Sequence, residues 1–156
     1  METLTVSKSA VLSSYKSAKG EARALLQDLF GKQVYDDITD RVKSFEDACQ
    51  VLGISTATPD VSKLPMKHQI AIISNYKLTI IAEAINEGWV PDWNNSNDYK
   101  YYPYFKMNNG SGLAFSYCAW AHTHSIVGSR LCVSSSEEAE HVGETFLDLW
   151  SEWLLG

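Results

Sequence analysis

The sequence predicts one α+β domain over residues 1–156, built of N-terminal helices, a three-stranded antiparallel sheet and a packed C-terminal helix. Three observations predict it. Apolar residues between Ile70 and Ile85 recur in steps of three and four, the period of an amphipathic helix. Beyond an aromatic stretch, Gly88 to Phe105, the period falls to two, that of a strand. From Ser135 onward the helical period returns. The aromatic stretch is the joint between helices and sheet. It holds two of the five tryptophans, four of the eight tyrosines and two of the four prolines.

Along the chain, residues 1–20 are rich in Ser and Lys and read as a weak helix or as disorder. Leu25, Leu26, Leu29 and Phe30 fall at helical spacing, and Gly31 stands where the helix should stop. Ile38 to Val42 reads as a linker or a short turn. Ser44 is a helix cap, with Glu46 and Asp47 at the positive end of the dipole and Gly53 as the terminator. Residues 55–65 are loop by composition. The longest helix should run from Pro65 to Glu87. Its core stripe is Ile70, Ile73, Tyr76, Ile80, Ile81, Ala84 and Ile85, and Gly88 ends it.

Strands are expected over Tyr101–Met107, Leu113–His124 and Arg130–Ser134. Residues 108–112 make the first turn, because Asn and Gly tolerate positive φ. The last helix opens on Ser135 and Glu138 at capping-box spacing. Its apolar face is Ala139, Val142, Phe146, Leu149, Trp150 and Trp153.

Composition narrows the function classes. Hydrophobic content of 45% and charged content of 21% are those of an ordinary globular protein. No apolar run is long enough to span a bilayer, and the first residues lack a charged start followed by an apolar stretch, so a cytoplasmic protein is expected. Cys49, Cys118 and Cys132 are odd in number and widely spaced, which suits free thiols rather than a disulfide framework. The net charge of −6 is unevenly placed. Residues 131–156 hold six acidic side chains and no Lys or Arg, whereas the two signs cancel over the rest. Without a basic stripe, non-specific nucleic-acid binding is disfavoured.

Four constellations bear on chemistry. His122 and His124, two apart on an expected strand, share a face and could reach one metal with Cys118. No fourth ligand accompanies them, so no metal is assigned. Cys118 or Cys132 with a histidine could form a thiol nucleophile, although buried thiols are the commoner use of such residues. The carboxylates fit no calcium-loop pattern, and no glycine-rich phosphate loop is present. The aromatics Trp89, Trp93, Tyr99, Tyr101, Tyr102, Tyr104 and Phe105 either glue helix to sheet or form a recognition surface. Alternation along the strand turns some of Tyr101 to Tyr104 outward. Arg130 is expected to dock on this region, pairing with Asp92 or Asp98 or stacking on a ring.

The segments Ile38 to Ala48, Ile81 to Trp89, Tyr101 to Phe105 and Val127 to Cys132 together resemble an uncharacterised family of small proteins from phages and integrated mobile elements of gut Bacteroidetes. The resemblance covers roughly residues 35–155. It implies a phage-related, intracellular context and supplies no catalytic residues. The resulting expectation is a binding or assembly protein using Trp89, Trp93, Tyr101, Tyr102, Tyr104 and Arg130. Its partner is an unidentified protein or phage component, or a second copy of the chain, with no cofactor and no membrane. The alternative is a small metal-dependent or thiol hydrolase using His122 and His124 or a cysteine.

Overall fold

The computed structural model describes residues 6–31, 36–108 and 112–156. The expectations for residues 1–5 and for the tip of the turn at 109–111 lie outside the described residues. The chain divides into two compact units, Met1–Asp40 and Arg41–Gly156.

In the first unit, α1 (Lys8–Ser17) starts where the Ser7 hydroxyl accepts the Ala10 N–H at 3.3 Å. Helix α2 (Glu21–Phe30) stops at Gly31, whose φ of 80° suits a residue without Cβ. The amide of Gln27 donates to the Tyr15 hydroxyl at 2.7 Å, and Arg23 lies 4.3 Å over the Tyr15 ring. The apolar residues Leu25, Leu29 and Phe30 of α2 are exposed. Residues Ile38–Arg41, read as a turn, form a single helical turn, α3.

In the second unit, Ser44 caps α4 (Phe45–Leu52) by accepting the Asp47 N–H at 3.1 Å, and Gly53 ends it at φ 67°. Pro65 precedes α5 (Met66–Asn86), and Glu87 and Gly88 both take positive φ to stop it. The buried line of α5 is Ser74, Leu78, Ile81, Ala82, Ala84 and Ile85. The expected stripe is therefore out of register in its first half: Ile70 is 56% exposed and Tyr76 is half-buried. The reason is Ser74. Its hydroxyl donates to the Glu152 carboxylate at 2.5 Å, so a polar residue fills a core position that hydrophobicity does not mark.

The sheet has two strands, β1 (Lys100–Asn108) and β2 (Gly112–Ala121), paired antiparallel with an irregularity at Tyr104/Phe105. The expected three-stranded sheet is thus corrected. Residues 130–134 contribute one isolated bridge, Tyr101 to Val133. Leu131, Cys132 and Val133 are apolar because they are buried, not because they form a strand. A turn bonds Leu131 back to Gly128, and the Asn86 amide takes the Cys132 carbonyl at 2.9 Å, which diverts this segment's backbone from a ladder.

The single C-terminal helix is corrected to two, α6 (Ser136–Thr145) and α7 (Leu147–Leu155), separated at Phe146 with φ −111° and ψ 28°. The indole N–H of Trp150 donates to the Val142 carbonyl at 3.1 Å. That carbonyl is the one a continuous helix would offer to the Phe146 N–H. The capping box at Ser135 and Glu138 forms as its spacing predicts. Helix α6 lies on the sheet so closely that Gly143 has no room for a Cβ between Pro103 and Phe115. Trp150 of α7 packs 5.1 Å from Phe105, and α7 also backs onto α5. Among the described residues, no helix is long and apolar enough to cross a membrane.

Candidate functional site

The aromatic joint is organised by a buried cation. Asp92 Oδ1 accepts the Asn94 N–H and Asn95 Oδ1 accepts the Asn97 N–H, each at 2.9 Å, while Asp98 Oδ2 closes the loop on the Asp92 N–H at 2.8 Å. These side-chain-to-backbone bonds bend residues 92–98 into a ring. Lys100, the first residue of β1, sends its fully buried ammonium back into that ring. It donates to the carbonyls of Asp92, Asn95 and Asp98, stands 3.2 Å from the Asp98 carboxylate and lies 5.3 Å from the centre of the Trp93 ring. The Trp93 indole N–H in turn donates to Ser129 Oγ at 2.7 Å, which ties the joint to the segment carrying Arg130.

Beside this loop, α5 and residues 88–91 and 129–130 enclose a cleft of about 420 Å³. Tyr76, Thr79, Glu83 and Asn86 line it from the helix, and Trp89 and Arg130 from the loops. Steps of three and four put the helical set on one face. Asn86 spends its amide N–H on Cys132, and its Oδ1 is buried without a partner. The expected Arg130 pairing is not made through Asp98, whose carboxylate is taken by Lys100 and the Asp92 N–H.

A second group of rings is on the sheet. Tyr101 and Trp120 are register partners. Tyr99 stacks on Tyr101 at 6.2 Å and meets Trp120 at 5.3 Å, and His122 packs 4.5 Å from Tyr99 and 4.8 Å from Trp120. Trp120 is 53% exposed and Tyr99 42%. Three residues along β1, Tyr104 and Tyr117 pair at 4.9 Å, both exposed, and the odd offset sets them on the other face of the ribbon.

The six residues singled out from the sequence therefore do not form one surface. Trp89 and Arg130 share the cleft. Trp93 is anchored next to Arg130 through Ser129. Tyr101 joins the sheet cluster, and Tyr104 faces the opposite way. Tyr102 is buried, and burial, with Tyr117 adding to it, pushes its phenol pKa up. Sequence reading passed over Trp120, Tyr117, the helical lining of the cleft and Lys100. The polar line Tyr76, Thr79, Glu83 and Asn86 on α5 and a lone Lys among Asp, Asn and aromatics were the signals present.

The residues of the alternative reading, His122, His124 and the cysteines, fare differently. Strand β2 ends at Ala121, so His122 and His124 are not strand neighbours sharing a face. His122 is packed among rings with its Nδ1 buried and unpartnered, and His124 Nδ1 meets Thr123 Oγ1 at 3.1 Å. Among the described residues, no three His, Cys, Asp or Glu side chains converge as metal ligands would. Burial pushes the Cys132 thiol up to about 11. Burial also raises Cys118, helped by Glu140, and raises Cys49, helped by Glu46. All three are held as thiols, the weak form of the nucleophile.

No protein-family model, curated protein or solved structure matches this chain.

Proposed function

We propose that this is a binding protein whose recognition surface is the aromatic cluster of the sheet, in which exposed Tyr99 and Trp120 stand beside half-buried Tyr101 and His122. One observation carries the reading. Trp120, a residue type that proteins usually cover, is half exposed on an ordered strand and is braced by Tyr99 and His122. A large, rigid ring held in place loses little freedom on binding and buries much area, which is why Trp and Tyr dominate interface energetics. The acidic C-terminal helices and the absence of a basic stripe favour a protein partner over nucleic acid. The resemblance to phage and mobile-element proteins supports seeking that partner among the products of such an element.

The test is a capture experiment with Trp120→Ser. The variant is expected to melt as the wild type does and to lose a protein that the wild type retains. Equal capture by both chains would refute the aromatic surface as the binding face.

A further inference from the structure

Trp120 also walls an open groove of about 420 Å³ that continues past the end of β2. His122, Thr123, His124, Ser125 and Ile126 line it beside the indole, and Ile126 is 74% exposed. No Lys, Arg, Asp or Glu is among the lining residues. At two points its side chains can only donate. Ser125 Oγ accepts the Val127 and Gly128 N–H groups at 3.1 and 2.7 Å, which fills both lone pairs and leaves the hydroxyl only its proton to give. The Trp120 indole has a donor and no acceptor, and it makes no hydrogen bond to another described residue. Thr123 and His124, by contrast, are bonded to each other at 3.1 Å.

On the reading that the aromatic cluster is the binding face, we infer that its partner presents a proline-rich extended segment, laid in this groove against Trp120. Donor-only side chains call for acceptors. An anion would supply them, but it would be stripped of water with no Lys or Arg beside it, on a chain of net charge −6. An ordinary peptide brings one N–H with every carbonyl, and each N–H covered in the groove needs an acceptor of its own. Proline brings the carbonyl and no N–H.

The apolar part of the groove suits the same ligand. A proline-rich chain already holds a left-handed helix of three residues per turn before it binds, so it loses little freedom on docking. Such segments seat in grooves lined by aromatic rings. Here the platform is held as well, because Tyr99 and His122 brace Trp120 at 5.3 and 4.8 Å. Ile126 gives a second apolar seat in the same groove. Residues three apart on the ligand return to one face, so two prolines at that spacing can address both. Pro59, Pro65, Pro91 and Pro103 lie six or more residues apart, so no segment of this chain carries that spacing and the ligand belongs to another protein.

The experiment is a titration of the full chain, labelled with nitrogen-15, with a capped oligoproline peptide, followed by the indole N–H resonances. A capped Gly-Ser peptide of equal length is the control. Oligoproline is expected to saturate and to move the Trp120 signal. The signals of Trp93 and Trp150, whose N–H groups are spent on Ser129 and Val142, should stay. The Gly-Ser peptide should not saturate. Trp120→Phe keeps a ring and loses the N–H, and should bind about five- to tenfold more weakly, the scale of one hydrogen bond. Trp120→Ser should not bind, and if that variant fails to fold, Trp120→Phe decides alone. No saturation by oligoproline at millimolar concentration overturns the proposal. So does equal binding of the Gly-Ser peptide, or an affinity unchanged in Trp120→Phe. A protein captured through Trp120 that oligoproline does not displace leaves the aromatic face standing and refutes this ligand.

Discussion

Lys100 carries its charge into a ring of carbonyls, and the loop that bears Trp93 is folded around it. Removing that charge takes a donor from three loop carbonyls, of which those of Asp92 and Asn95 keep the Asn95 and Asp98 N–H, and leaves the Asp98 carboxylate without its cation. Lys100→Met is therefore expected to lower stability by about 3 kcal/mol, the scale for breaking a buried charge from its partners. Urea unfolding checks this, and a loss below about 1 kcal/mol, the scale of an ordinary hydrogen bond, would contradict the organising role. A smaller effect belongs to Asp47. It accepts the Lys43 N–H at 3.0 Å, and that bond, with those from Ser44, holds its carboxyl pKa below the ordinary value. A depressed carboxyl contributes stability that is present above the unfolded pKa and lost as pH falls through the folded one. Asp47→Asn should therefore lose stability at neutral pH and lose less than the wild type on acidification from about pH 5 to pH 2. Parallel melting-temperature profiles for the two chains would contradict it.

At the scale of elements, α6 is seated close against the sheet. A Cβ on Gly143 would stand 2.6 Å from the Phe115 ring and 2.7 Å from the Pro103 side chain. In an isolated helix Gly→Ala gains about 1 kcal/mol. Here the clash should outweigh it, because overpacking costs roughly 1–3 kcal/mol. Gly143→Ala is predicted to melt below the wild type, and a higher melting point would show that α6 is not seated against Pro103 and Phe115. Element boundaries set by local chemistry were legible in the sequence. Ser44, Ser135, Gly31, Gly53 and Gly88 mark their helix ends because caps and positive-φ stops act within a few residues. What long-range packing decides was not legible. The segment 131–133 has strand-like composition but is drawn into the core by Asn86, and the break at Phe146 accompanies an indole bonded eight residues back, to Val142. The register of α5 is hidden because Ser74 serves as a core residue through Glu152.

For the whole molecule, the aromatic residues do three different jobs that composition lumps together. Trp150 and Tyr102 are core, Trp93 anchors a loop, and Trp120 with Tyr99 faces outward. The sequence shows that aromatics cluster near β1. It does not show which face each takes, because the register of two strands and the bulge at Tyr104/Phe105 decide that. If a partner binds at the outward cluster, a photo-crosslinking residue at position 120 should capture it. The same residue at position 70, on the exposed part of α5, serves as control. A discrete adduct is expected from position 120, suppressed by excess wild-type chain, and none from position 70. Equal adducts from both positions, or an adduct from position 70 alone, would contradict it.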